Sequence, residues 1–183
     1  MASRNELFIL ECTPKCDHRE GEVLFNFLDM TEPDTLFIRD FTTKNEFLGY
    51  LRRKKNLDGC DVIHLSGHGD SYTNTFDLPQ GRVLPDEFPK GCFEGKIVTL
   101  SACALARKQF MDPFIAVTKA DYVIGPMYDV EFADAAIWYL NYYYLILHRN
   151  FTPVGALDRT NRMLCGSSQR GRVKGGWVQW VQD

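Results

Sequence analysis

No stretch of the 183-residue chain is apolar for the twenty or so residues that a membrane-spanning helix needs. The nearest approach, Ala135 to Leu147, contains Asn141 and follows Asp134, so it reads as a helix that is buried or faces a partner. An excess of positive charge is also missing. Lys and Arg number 21 against 24 Asp and Glu, for a formal net charge of −3, and a general nucleic-acid binder would need a basic face. There is no internal repeat and no low-complexity tract. The first apolar run, Leu7 to Leu10, stops at Glu11 and is too short for a signal-peptide core, so the expectation is a cytoplasmic protein with no membrane partner. The six cysteines sit in a chain well above disulfide-scaffold length and are expected to be reduced thiols.

What is present is ordinary for a globular domain: 45% hydrophobic, 25% charged and 13% aromatic residues, with 13 Phe and 8 Tyr to build a core of rings. These fractions exclude a disordered, collagen-like or coiled-coil chain, and the length predicts one domain over residues 1–183. Short apolar runs read as strands at Leu7–Leu10, Thr35–Arg39, Asp61–Ser66, Lys96–Ser101, Tyr122–Ile124 and Trp177–Val181. Helical spacing marks Glu20–Met30, a segment after Thr43 with Glu46 three positions on, part of Ala102–Val117 broken by Pro113, and about 131–148 and 153–164. Asp70–Gly95 reads as a long loop with one small turn of structure, and Gly166–Gly176 as a glycine-rich basic loop. Alternating strands and helices predict an α/β fold of three layers, a mainly parallel sheet of about six strands with helices on both faces.

In such a sheet, ligands bind beyond the carboxyl ends of the strands. Two strand ends carry chemistry: Ser66-Gly67-His68-Gly69 and Leu100-Ser101-Ala102-Cys103. If the two strands are neighbours, His68 and Cys103 emerge at one edge. An imidazole beside a thiol generates the thiolate nucleophile, and a helix beginning after Cys103 would help by its N-terminal dipole. The backbone N–H groups of Gly69 and Cys103 are candidates for an oxyanion hole.

The segments Val62-Ile-His-Leu-Ser-Gly-His-Gly69 and Val98-Thr-Leu-Ser-Ala-Cys103 resemble the caspase-like (clan CD) cysteine peptidases, especially their CHAT branch. The likeness continues through Ala120–Val130, Ala133–Leu147, Phe151–Leu157 and Trp177–Val181, so it covers roughly residues 60–183. The caspase signature Gln-Ala-Cys-x-Gly is absent, because Ala104 and Leu105 follow Cys103, and Pro126-Met-Tyr-Asp129 is not a family consensus. The resemblance implies a caspase-like fold, His68 and Cys103 as the catalytic dyad and no cofactor. It also implies a protein substrate, control by a regulatory partner or neighbouring domain, and a bacterial setting in defence or cell death. In that family the loop after the fifth strand walls the pocket for the residue before the cut, which makes Tyr128 and Asp129 the candidate substrate-binding residues.

Several alternatives stay open on sequence alone. Asp129 either selects Lys or Arg or caps the next helix, where Glu131 would also complement the dipole. His64 is a hydrogen-bonded core histidine or a second base. Cys12, Cys16 and His18 form an incomplete metal set, one short of the four ligands that structural zinc takes, and no metal is expected. Arg170, Arg172 and Lys174 belong to a solvated loop or touch phosphate. The rival to an enzyme is a scaffolding module that keeps the fold without turnover and docks a partner on the aromatic helix bearing Trp138, Tyr139, Tyr142, Tyr143 and Tyr144.

Overall fold

The computed structural model describes residues 6–31, 33–164 and 177–181. In chain order the elements begin with β1 (Leu7–Glu11), α1 (Glu20–Asp29), β2 (Leu36–Asp40), α2 (Lys44–Leu51) and β3 (Val62–Ser66). Three short strands follow: β4 (His68–Asp70), β5 (Thr75–Leu78) and β6 (Gly81–Val83). The chain continues with β7 (Ile97–Ser101), α3 (Lys108–Thr118), β8 (Tyr122–Pro126), α4 (Phe132–Tyr143), α5 (Pro153–Leu164) and β9 (Trp177–Val181). Among the described residues no helix is long and apolar enough to cross a membrane.

Six strands form one sheet in the order β2-β1-β3-β7-β8-β9, parallel except where β9 runs antiparallel to β8. The apolar strand runs are continuous because both faces are covered. Phe8 and Leu10 point to one side with Phe47, Leu51, Phe110 and Phe114 of α2 and α3. Leu7 and Ile9 point to the other with Leu24, Leu28, Trp138, Tyr142 and Leu157 of α1, α4 and α5. The period-2 alternation of a strand thus divides one run between two cores. Three layers result, as the sequence predicts.

Local chemistry sets several boundaries. Thr43 caps α2 by accepting the Glu46 N–H at 3.2 Å. Beyond Tyr143, α4 continues as a π-helical turn over Tyr144–His148.

Some expectations are corrected. The stretch after Gly69 is not one loop: β4, β5 and β6 make a three-stranded antiparallel sheet. Asp70 Oδ1 accepts the N–H groups of Tyr72 and Thr73, which turns the chain back into β5. Strands of three and four residues are too short to show a legible period. Pro113 lies inside α3 without breaking it. The proline ring forfeits one intrahelical donor, and buried Phe110, Met111, Phe114 and Ile115 hold the helix against the sheet. Gly125 and Pro126 do not close β8, since β9 pairs alongside them through Val178 and Trp177. Trp138, Tyr139, Tyr142 and Tyr143 are fully buried in the chain's own core, so they cannot form a docking surface; Tyr144 alone of that group is exposed. The basic loop with Arg170, Arg172 and Lys174 lies outside the described residues.

The antiparallel β9 is anchored by Trp177, which stacks on Trp138 with ring centroids 4.7 Å apart and an interplanar angle of 3°. Trp177→Ala is expected to cost about 3–5 kcal/mol through lost burial and the cavity left behind. A guanidinium unfolding midpoint indistinguishable from wild type would refute that anchoring role.

Candidate active site

The site is built on strand register. β3 and β7 are adjacent and parallel, with Ser66 beside Ser101. The Gly67 N–H extends the ladder by one bond to the Ser101 carbonyl at 3.1 Å. His68 and Cys103 each lie two residues past that pair, at the carboxyl edge where parallel sheets bind ligands. Both line one cavity of about 380 Å³. Gly69 lies directly behind it: a Cβ there would sit 2.3 Å from the Cys103 carbonyl oxygen and 3.0 Å from its nitrogen. Only glycine allows the two backbones to approach so closely. The small antiparallel sheet fixes His68 from below, with the ring of buried Phe76 filling the space that a side chain on Gly67 would need.

Cys103 is not at a helix N-terminus, because α3 begins only at Lys108. The thiol instead occupies a turn in which Ala104 adopts φ 54°, a left-handed conformation that non-glycine residues seldom take. That turn is stapled to the segment after β8. Ala104 N–H donates to the Tyr128 carbonyl at 3.2 Å, Ala106 N–H to the Pro126 carbonyl at 3.1 Å, and Arg107 Nε–H to the Met127 carbonyl at 2.9 Å. Cys103 Sγ–H itself donates to the Val130 carbonyl at 3.7 Å. Backbone carbonyls of this segment therefore hold the turn, while the Tyr128 and Asp129 side chains are exposed and outside the cavity lining. Val130 and Phe132 supply the wall there.

One partner of His68 carries no signal in the sequence. Asp17, on the loop after β1, holds His68 Nε2 at 3.2 Å, with both side chains about half exposed at the cavity mouth. No spacing pattern marks it, because the pair is 51 residues apart.

Below the mouth lies a polar floor. Glu20, the first residue of α1, is 6% exposed and lines the cavity. Its Oε2 accepts the Ser101 hydroxyl, while Oε1 has no hydrogen-bond partner among the described residues. Burial pushes the Glu20 carboxyl up to about 8, the Ser101 bond opposing and the charge of Glu11 adding to the rise. His64 Nε2 lies 3.6 Å from Glu20 Oε1. Burial drives His64 down to about 3, so this contact joins two neutral groups at pH 7. On its other side His64 Nδ1 is within 2.9 Å of Thr99 Oγ1 and 2.6 Å of the Tyr143 hydroxyl. His64 is thus a fully buried member of the core network and does not line the cavity. Glu11, also fully buried, accepts from Thr13 N–H at 2.9 Å, from the Thr13 hydroxyl and from Ser66 Oγ at 3.1 Å.

A signal for this floor does exist in the sequence. Three apolar strands each end on a polar residue, Glu11, Ser66 and Ser101, and the register aligns all three. Among the described residues no cluster of three or more His, Cys, Asp and Glu is arranged to hold a metal; Cys12 is buried, whereas Cys16 and His18 are exposed.

No protein-family model matches the sequence, and no curated protein matches it. Solved structures do match. The Arg-specific cysteine proteinase gingipain R superposes with a TM-score of 0.55 at 10% identity, over 87% of this chain and 42% of that one. The fold is caspase-like. This chain spans less than half the length of that proteinase, and at such low identity the likeness concerns the fold alone.

The buried pair makes stability depend on pH in opposite directions. Glu20 keeps its proton to about pH 8 when folded but loses it near 4.5 when unfolded, so stability falls as pH rises from 4.5 to 8. His64 stays neutral down to about pH 3 when folded but charges near 6.5 when unfolded, so stability falls as pH drops from 6.5 to 3. Above pH 6.5 the Glu20 effect acts without opposition from His64. Thermal melts at constant ionic strength should show Tm falling from pH 6.5 to 8 in the wild type and falling less in Glu20→Gln. Parallel pH slopes in the two proteins would contradict the assignment.

Proposed function

We propose that the protein is a cysteine endopeptidase in which Cys103 is the nucleophile and His68 the base and then the acid. The observation that supports this best is geometric: His68 and Cys103 lie equally far past paired residues of adjacent strands and open into one cavity. With Asp17 accepting the His68 Nε2–H, Nδ1 is the nitrogen left to take the thiol proton. The Cys103 thiolate then attacks the scissile carbonyl carbon. In this reading the N–H groups of Gly69 and Cys103 receive the developing oxyanion, although Gly69 itself is outside the cavity lining. His68 returns its proton to the leaving amine as the C–N bond breaks. Water hydrolyses the thioester with His68 again accepting a proton, and the thiol is restored.

In the resting arrangement the thiol proton is bonded to the Val130 carbonyl, so catalysis requires Sγ to leave that carbonyl and face His68. Catalytic hydrogen bonds commonly tighten only when substrate is bound. That reorientation is a natural point of control by the regulatory partner implied by the CHAT resemblance, in a bacterial defence or cell-death system. The scaffolding alternative has lost its aromatic interface to the core and keeps only the exposed Tyr144.

Cys103 should react with peptidyl acyloxymethyl ketones far faster than the other described cysteines. Cys12 is fully buried, and burial pushes Cys60 up to about 11 and Cys92 up to about 12, which leaves little thiolate on either. Exposed Cys16 also lines the cavity, but its thiol lies beside the Asp17 carboxylate at 4.0 Å, so it should react with the peptidyl probe more slowly than Cys103. His68→Ala is expected to lower Cys103 labelling and peptide hydrolysis by about 10²–10⁴-fold, and Asp17→Asn by a smaller factor. Mass spectrometry that finds Cys16 preferred by the peptidyl probe, or a His68→Ala variant as reactive as wild type, would disprove the dyad.

A further inference from the structure

We propose that Cys16 is the resolving cysteine of a peroxide-sensitive switch: hydrogen peroxide oxidises Cys103, and Cys16 then closes a disulfide with it that blocks the site reversibly. The inference rests on the peptidase reading above, because it needs Cys103 as a reactive thiolate. Its starting point is a pairing which that reading leaves unused. Two thiols line one cavity of about 380 Å³, Cys103 on the turn after β7 and Cys16 on the loop between β1 and α1. Both are free in this structure, Cys16 exposed and Cys103 partly so. The other described cysteines, Cys12, Cys60 and Cys92, are buried and outside the lining. In reducing compartments a disulfide that does form is usually transient and redox-sensing.

A run of contacts joins the two thiols. Cys16 Sγ–H donates to Asp17 Oδ1 at 4.0 Å, and the other oxygen of the same carboxylate, Oδ2, lies 3.2 Å from His68 Nε2. Next to His68 in the chain, Gly69 packs its backbone against the Cys103 peptide, where an added Cβ would sit 2.3 Å from the carbonyl oxygen. The Cys103 thiol is held by a weak bond to the Val130 carbonyl at 3.7 Å. The rotation that catalysis requires turns it into the space that Cys16 borders. The Cys16 loop is tied at its ends: Thr13 N–H donates to Glu11 Oε1 at 2.9 Å, and Arg19 is paired with Glu22 and Asp40. Between those anchors Asp17 N–H donates to the Pro14 carbonyl at 3.0 Å, a local turn outside any strand. Such a segment can swing Cys16 towards Cys103 until the Cα atoms stand about 4.4–6.8 Å apart, as a disulfide requires.

Two steps make the bond. The Cys103 thiolate attacks one oxygen of hydrogen peroxide. An S–O bond forms, the O–O bond breaks, and the departing hydroxide takes the proton held by His68 and leaves as water. Sulfur is oxidised to the sulfenic acid and the peroxide is reduced. Cys16 Sγ then attacks Cys103 Sγ. The S–S bond forms, the S–O bond breaks, and the hydroxyl leaves with the Cys16 thiol proton as a second water. A dithiol reverses the oxidation, its own two sulfurs ending as a disulfide. The order follows from the surroundings: His68 activates Cys103 in the peptidase reading, whereas Cys16 lies beside the Asp17 carboxylate, so Cys103 meets the peroxide first. Without Cys16 the sulfenic acid stays open to more peroxide and passes to the sulfinic acid, which thiols do not reduce.

The test uses the full chain, reduced, freed of reductant and exposed to hydrogen peroxide. Non-reducing peptide mapping of the monomer by mass spectrometry should find Cys16 joined to Cys103. Over the same time course Cys103 should lose its labelling by a peptidyl acyloxymethyl ketone, and dithiothreitol should restore nearly all of it. In Cys16→Ser the labelling, once lost, should return only in small part, with Cys103 found as the sulfinic acid. Cys103 joined to a different cysteine, no cross-link at all, or a Cys16→Ser variant that recovers as fully as wild type would overturn the inference. The wild-type map decides the matter even if the variant does not fold. Labelling before oxidation separates the two readings. A reduced Cys103 that is labelled but never cross-links defeats this inference alone, whereas a reduced Cys103 that no peptidyl probe labels defeats the peptidase reading itself.

Discussion

The parallel pairing of β3 with β7, which sets Ser66 beside Ser101, governs the whole site. Side chains alternate between faces along a strand, so a slip of one residue would move every one of them to the other face. His68 and Cys103 would then no longer leave the sheet in step. The register is held by burial on both faces: Ile63, Leu65, Val98 and Leu100 belong to the core beneath α2 and α3, while Val62 belongs to the core beneath α1 and α4. Hydrophobic packing away from the candidate site thus sets where His68 and Cys103 emerge from the sheet.

The same edge collects an unusual density of buried polar groups. Glu11, Ser66, Ser101, Glu20, His64 and Thr99 are all nearly or fully inaccessible to solvent. Burying charge is expensive, and the groups respond by shedding it: Glu20 holds its proton and His64 refuses one, both because of burial. Hydroxyls of Ser101, Thr99 and Tyr143 then satisfy what hydrogen bonds they can. Glu20 Oε1 and His64 Nε2 face each other at 3.6 Å inside the network, and neither has a hydrogen-bond partner among the described residues.

Support for the Cys103 turn comes from two directions. The antiparallel sheet β4-β5-β6 carries His68 and presses Gly69 against the Cys103 peptide. From the opposite side, carbonyls of residues 126–130 bind the turn from Cys103 to Arg107. A turn held in this way can keep Ala104 in a left-handed conformation, whose strain the surrounding bonds offset.

The layers follow from the order of residues alone. Leu7–Leu10, Val62–Leu65 and Val98–Leu100 form strand runs with little polar interruption, which calls for a sheet covered on both faces, and the helical periods between them supply the cover. That His68 and Cys103 emerge at one sheet edge is legible in the same way, because a glycine-flanked histidine and a cysteine after a small residue at strand ends are local patterns. The antiparallel sheet after Gly69 is not legible, since three-residue strands carry no period. Nor is the continuation of α3 through Pro113, which rests on tertiary packing. Asp17 and Glu20 enter the site only through folding. Asp17 meets His68 across 51 positions and Ser101 meets Glu20 across 81. Such contacts depend on where the sheet register and the helix packing bring distant segments together, and no local pattern of residues encodes that distance.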